Sequence, residues 1–164
     1  YGKDRRTMRI GILGGSFNPV HVAHLIVAEE VRDQLRLDKV VLIPARVQPH
    51  KPAAELADAD HRLEMVCLAV EGNPALEVSD IELLREGPSY SVDTMRELRE
   101  GAAADDELFF IIGSDTVCEL PAWKDVRRLV QLCDFVVVSR PGWALGELKT
   151  IESAIGSEAV RRMA

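Results

Sequence analysis

Cysteine is scarce and poorly spaced for framework duty. Cys67, Cys118 and Cys133 are the only three in 164 residues, and no C-x-x-C occurs. An odd, scattered set excludes a disulfide framework and a zinc ribbon. The three are read as buried free thiols, which suits a reducing cytoplasm. Long apolar runs are missing too. The longest, Met65–Val70, is far short of the ~20 residues a membrane-spanning helix needs. Lys3, Arg5, Arg6 and Arg9 precede an apolar stretch that stops at Gly14, too short for a secretory signal. Met8 is a candidate natural start, with Tyr1–Thr7 as a leader. Positive charge is in deficit, with a formal net charge of −7. That disfavours a protein that wraps DNA or RNA, but a few local cations and backbone N–H groups still suffice for a small anion. Internal repeats and low-complexity segments are absent.

What is present is an ordinary globular balance, 47% hydrophobic and 29% charged, in a length that suits one domain spanning residues 1–164. β-Branched apolar runs alternate with helical periodicity. Strands are expected at Arg9–Leu13, Lys39–Pro44, Leu76–Ser79, Glu107–Ile112 and Asp134–Ser139. Helices are expected at Val22–Leu37, Asp60–Glu71 (with Leu63, Val66, Cys67 and Val70 on its apolar face), Val92–Glu100 with Ser91 as its cap, Ser114–Leu120 stopped by Pro121, and Lys124–Leu132. The tail 145–164 reads as helical. Alternating strands and helices imply an α/β fold, a Rossmann-like, doubly wound parallel sheet of about five strands. Ligands in such a sheet sit beyond the carboxyl ends of its strands.

The loop after the first strand is Gly14-Gly15-Ser16-Phe17-Asn18-Pro19-Val20-His21-Val22-Ala23-His24. Glycine lets backbone approach a ligand, and the following helix offers free N–H groups and a positive dipole end. His21 and His24, three apart, share one face of the first turn. This suits a phosphate clamp. A Walker A loop fails for want of G-K-[ST], and the dinucleotide fingerprint fails for want of its third glycine. An H-x-x-H metal pair lacks a third ligand. Structural histidines remain the plain alternative.

GGSFNPVHVAH resembles the G-G-[ST]-F-[DN]-P-x-H-x-x-H signature of nucleotidyltransferases with a Rossmann-like fold; Ala23 stands where glycine is usual. Pro49-His50-Lys51, Gly87-Pro88-Ser89-Tyr90-Ser91-Val92-Asp93-Thr94, Ile112-Gly113-Ser114-Asp115 with Pro121 and Trp123, and Ser139-Arg140-Pro141-Gly142 resemble one branch, the bacterial nicotinate mononucleotide adenylyltransferases. The resemblance implies adenylyl transfer from ATP to nicotinate mononucleotide in NAD synthesis, in the cytoplasm, with Mg²⁺ held on the ATP phosphates rather than by protein. It implies that Gly14, Gly15, Ser16 and Phe17 line the ATP side through backbone, together with Gly113 and Arg140. His21 and His24 contact phosphates, His24 as the main transition-state stabiliser, and Lys51 reaches phosphate from the second loop. On the same resemblance Tyr90, Ser91, Asp115 and Trp123 form the substrate side: Asp115 takes a ribose hydroxyl, Trp123 stacks on the pyridine, and backbone N–H groups around Ser91 and the Trp123 loop meet the carboxylate. For Asp115 a helix cap, for Trp123 a core position and for Arg140 a surface ion pair are the alternatives.

The tail departs from the family. Its second phosphate motif, I-S-S-T-x-I-R, has no counterpart in Ile151–Ile155, and Glu158–Arg162 resembles the segment beyond that motif. Either the natural chain is shortened or a segment is missing from this sequence. A sister enzyme such as phosphopantetheine adenylyltransferase, or a non-catalytic nucleotide-binding protein, is the alternative. Oligomeric state is open, a homo-oligomer included.

Overall fold

The computed structural model describes residues 5–49, 56–139 and 148–163. Five strands, β1 (Arg9–Gly15), β2 (Lys39–Pro44), β3 (Leu76–Val78), β4 (Glu107–Gly113) and β5 (Asp134–Val138), form one sheet in the order β3-β2-β1-β4-β5. Every pairing is parallel. The sheet is the α/β, Rossmann-like one that the alternation predicts. Strands are added to one side of β1 as far as β3 and then to its other side from β4, so the gap beyond the ends of β1 and β4 is the switch point where ligands sit.

Both faces are covered, which is why the strands read as unbroken apolar runs. Successive residues of β4 serve opposite cores. Leu108, Phe110 and Ile112 join Ile43, Met95, Leu129 and Phe135 on one face. Phe109 and Ile111 join Phe17, Ala28, Val40, Leu42 and Val66 on the other. The first core is closed by α4 (Ser91–Gly101), α6 (Val126–Leu132) and α7 (Leu148–Ile155), the second by α1 (Val22–Gln34) and α2 (Ala59–Val70). Gly11 lies where strand and connection meet closely: a Cβ there would stand 2.9 Å from Leu37 and 3.0 Å from Val40. Among the described residues no helix is long and apolar enough to cross a membrane.

Several local expectations are corrected. A short helix, α3 (Ile81–Leu84), precedes the turn-rich loop. Ser91 is not the cap of α4 but its first residue. Tyr90 is the cap, because its carbonyl already accepts from the N–H groups of Asp93 and Thr94. Helix α5 is only Ser114–Val117, and Pro121 lies within a 3₁₀ turn, Leu120–Ala122, where its missing N–H costs nothing. Asp125 takes a left-handed φ of 46° and delays α6 to Val126. The helical tail holds, as α7 and α8 (Ser157–Arg161). None of the three cysteines is in a disulfide, but only Cys133 is buried. In α2 the buried positions are Arg62 and Val66, so Cys67 turns outward. Ahead of β1, the Arg5 guanidinium meets both oxygens of Asp106 at 3.0 and 2.9 Å, and the Met8 and Ala103 N–H groups add two more bonds. These donors hold the Asp106 carboxyl down to about 2.

Candidate active site

A cavity of about 410 Å³ opens beyond the carboxyl ends of β1 and β4, a size that suits a small-molecule ligand. One wall is the turn after β1. Leu13, Gly14, Gly15 and Ser16 line it. Phe17 then adopts φ 44° and is 1% exposed, sending its ring into the core beneath the turn. A Cβ on Gly15 would lie 3.4 Å from that ring, in ordinary van der Waals contact.

Helix α1 starts immediately beyond, with exposed His21 as its cap residue and His24 half-buried in its first turn. The two hold each other. The His21 N–H donates to His24 Nδ1 at 3.2 Å, and the His24 N–H donates to the His21 carbonyl at 3.0 Å. Their rings stack with centroids 3.8 Å apart, and the His24 ring meets Phe17 edge-on at 4.9 Å. With Nδ1 accepting, the proton of the neutral His24 ring sits on Nε2. His24 lines the cavity; His21 supports it from behind. The structure thus offers one oriented imidazole N–H donor beside a helix N-terminus, where anions are favoured.

The second wall comes from the loops after β2 and β3. Ala45, Gln48, Pro49, Glu82 and Ser89 line it. The Arg46 N–H donates to Ser89 Oγ at 3.0 Å. Glu82 is buried and accepts from Thr94 Oγ1 at 2.7 Å, while Arg85 donates to the same hydroxyl at 2.8 Å. Burial pushes the Glu82 carboxyl up; bonds from Thr94 and Ser89 only partly offset it. Glu82 is therefore a carboxyl whose charged form this wall disfavours.

The third wall is aromatic. Tyr90, Ser91, Asp115, Thr116, Glu119, Trp123 and Lys124 line it, with Phe110 and Gly113 from β4. Trp123 meets Phe110 edge-on at 6.1 Å, and its Nε1 is buried with no acceptor among the described residues. Its backbone N–H is already committed to the Leu120 carbonyl at 3.0 Å. The expectation of backbone donors for a carboxylate therefore keeps only the Ser91 side, where the first N–H groups of α4 have no carbonyl one turn earlier. Lys124 Nζ lies 4.4 Å from the Tyr90 ring centroid and 2.8 Å from Asp93. Burial works against ionisation of Asp93, but Lys124, Arg96 and Arg85 outweigh it and keep the carboxyl below its usual range. Asp115 stands inside the first turn of α5, not ahead of it.

The fold thus gathers Gly14, Gly15, Ser16, His24, Tyr90, Ser91, Gly113, Asp115 and Trp123 around one cavity. Phe17 and His21 stay off its wall. Lys51 and Arg140 lie outside the described residues. Sequence reasoning missed Glu82, Lys124 and Arg62. Lys124 carried a signal, its place next to Trp123. Arg62 carried none, since a charged helix residue ordinarily reads as solvated. It is 1% exposed, and its guanidinium donates to the carbonyls of Ala57 (2.9 Å), Ser16 (2.7 Å), Ala45 (2.8 Å) and Arg46 (3.4 Å). No group of three or more His, Cys, Asp or Glu among the described residues is arranged to hold a metal ion.

A 3-2-1-4-5 parallel sheet with a glycine turn and an imidazole pair at its switch point defines a nucleotide-binding α/β protein. Residues 12–163 match the cytidylyltransferase-like family, and the chain belongs to that family. A protein of Citrifermentans bemidjiense named "Probable nicotinate-nucleotide adenylyltransferase" is 48% identical over 152 residues, 92% of this chain and 70% of that protein. One of the same name from Geotalea daltonii is 53% identical over 135 residues, 82% of this chain and 62% of its own. The chain thus spans about two thirds of the length of such relatives. Among solved structures, a Plasmodium falciparum nicotinic acid mononucleotide adenylyltransferase complexed with NaAD superposes with a TM-score of 0.75 at 20% identity, covering 90% of this chain and 71% of that one. The same enzyme complexed with APC gives 0.72 at the same coverage. These likenesses show the fold.

Proposed function

We infer that the chain transfers the adenylyl group of ATP to nicotinate mononucleotide, giving nicotinate adenine dinucleotide and pyrophosphate, a step of NAD synthesis. The observation that carries the reading is one cavity with two chemically different walls. A glycine turn with an imidazole N–H stands on one side, and an aromatic wall with an orphaned indole N–H and a lysine stands on the other. The names of the relatives point the same way.

In this reading the phosphate oxygen of the mononucleotide forms a bond to the α-phosphorus of ATP, and the bond from that phosphorus to the bridging oxygen breaks. Pyrophosphate carries away the electron pair. No protein nucleophile is needed, so catalysis is positioning and charge stabilisation. The turn after β1 holds the triphosphate through its N–H groups. His24 donates from Nε2 to the oxygens that gain charge, and His21 keeps its ring in place. Lys51 and Arg140 add cations. Trp123 stacks on the pyridine, Asp115 accepts from a ribose hydroxyl, and Tyr90 and Ser91 flank the nicotinate carboxylate. Mg²⁺, when bound, neutralises phosphate charge and is held by phosphate and water; the scattered acids of the cavity fit that arrangement better than a protein cage. We place the reaction in the cytoplasm, where free thiols persist.

Pyrophosphate release on mixing the chain with ATP, Mg²⁺ and nicotinate mononucleotide tests this. Release that requires the mononucleotide is the expected result. Release with phosphopantetheine in its place would overturn the substrate assignment. Nucleotide binding without release would overturn the enzymatic one.

A further inference from the structure

We propose that Arg62 is a positioning residue and buried cation for the phosphate end of the cavity, holding the Ser16–Phe17 and Ala45–Arg46 peptides and favouring ligands in proportion to their negative charge. The proposal rests on the reading of this cavity as a nucleotide site.

Arginine is seldom buried without a carboxylate partner, because the desolvated charge must be recovered elsewhere. Arg62 is 1% exposed. Among the described residues no carboxylate lies within ion-pair distance; every acceptor it meets is a backbone carbonyl. Carbonyls offset only part of a whole charge. Burial accordingly pulls the guanidinium below its usual range, with Asp58 opposing. The remaining positive field is directed at whatever lies beyond the two loops.

Those loops are the cavity wall. Ser16 and Ala45 both line it, and one nitrogen, Nη1, bonds both carbonyls at 2.7 and 2.8 Å. In a planar trans peptide the N–H points opposite to the C=O. Pulling the Ser16 carbonyl inward therefore turns the Phe17 N–H away from Arg62. It also braces a residue whose left-handed φ of 44° is strained for an aromatic side chain. The Ala45 carbonyl is held the same way, while the N–H of that peptide is fixed by Ser89 Oγ at 3.0 Å. A fork with several rigid donors can do this; a single ammonium cannot hold all four carbonyls at once.

The test is a binding series, adenosine, AMP, ADP and ATP, titrated calorimetrically into the wild-type chain, Arg62→Lys and Arg62→Met, with circular dichroism on each. For Arg62→Met the expected loss is below about twofold for adenosine, ~3-fold for AMP and ~30-fold or more for ATP, as a charge effect requires. Arg62→Lys keeps the charge and loses the fork, so its ATP loss is intermediate. Equal losses for adenosine and ATP would mark a framework residue and overturn the proposal, as would unchanged ATP affinity. Should Arg62→Met not fold, Arg62→Lys decides alone. An ATP loss at least about threefold beyond its adenosine loss supports the proposal, and equal losses overturn it. A wild-type chain that binds no member of the series overturns the nucleotide reading of the cavity, and this proposal with it.

Discussion

Replacing His24 by Asn and by Gln separates the two edges of its ring. Asn places a polar atom near the position of Nδ1, so it still accepts the His21 N–H that now stands 3.2 Å from that nitrogen. It has nothing at the position of Nε2. Gln does the reverse: its amide nitrogen reaches the Nε2 position and the local acceptor is lost. Either variant forfeits the 3.8 Å stack on His21 and the 4.9 Å edge contact with Phe17, aromatic contacts worth about 1 kcal/mol. A half-buried loss of that size lowers Tm by about 2–4 °C. Removing an oriented donor to developing charge costs about 10²–10³ in rate, or ~2.7–4 kcal/mol. His24→Asn is therefore expected to lose about 10²–10³ in kcat with little change in KM for ATP, and His24→Gln to lose about tenfold. Pyrophosphate release at saturating ATP, with thermal melts alongside, reads both quantities. A His24→Asn enzyme within threefold of wild type, or a His24→Gln enzyme as slow as His24→Asn, would refute the assignment of the donating proton to Nε2.

Four further outcomes follow from the geometry. The kcat/KM for nicotinate mononucleotide should exceed that for the amide by about 100-fold, since the amide would bring an NH₂ against donors at Ser91 and Lys124. Lys124→Ala should shrink that ratio about 5–10-fold without abolishing it, because half-exposed charges are screened; an unchanged ratio counts against the lysine. Asp106, held down to about 2 against an ordinary 3.8, stabilises the fold fully above pH ~4, and this is lost as the pH falls through ~2. Urea midpoints of the wild type should therefore fall between pH 5 and 2 more steeply than those of Asp106→Asn, and equal slopes would contradict the pairing with Arg5. Gly11→Ala puts a methyl 2.9 Å from Leu37 and should cost about 1–3 kcal/mol in chemical denaturation; a neutral substitution would mean that the connection yields freely.

The sheet was legible because burial on both faces leaves each strand an uninterrupted apolar run, and β2 coincides with its expected bounds, Lys39–Pro44. The turn after β1 was legible from its glycines and paired histidines. Helix α3, four residues long, is too short to show a period. Cys67 was misplaced because α2 carries apolar residues around much of its circumference, and Leu68 is 64% exposed. Arg62 was invisible because what holds it is backbone from the turn after β1 and from the connection ahead of its own helix, which only the fold brings together. The same holds for the Trp123 N–H, whose commitment to Leu120 depends on a 3₁₀ turn that Pro121 made look like a helix stop.

The centre of the sheet is completed only after one half of the sheet has been made. Strand β1 pairs with β2 along one edge, Ile10 with Lys39, and with β4 along the other, Arg9 with Glu107. On a ribosome, β1, β2 and β3 emerge first and can assemble as a half-sheet. The second edge of β1 must then wait for residues 79–110, about 2–6 s at ordinary synthesis rates. During that interval Gly11 and Ile12, both buried in the finished fold, present unpaired backbone to any neighbouring chain. Nascent chains stalled before Glu107 would be the aggregation-prone species, and arrival of β4 would both end that exposure and open the cavity.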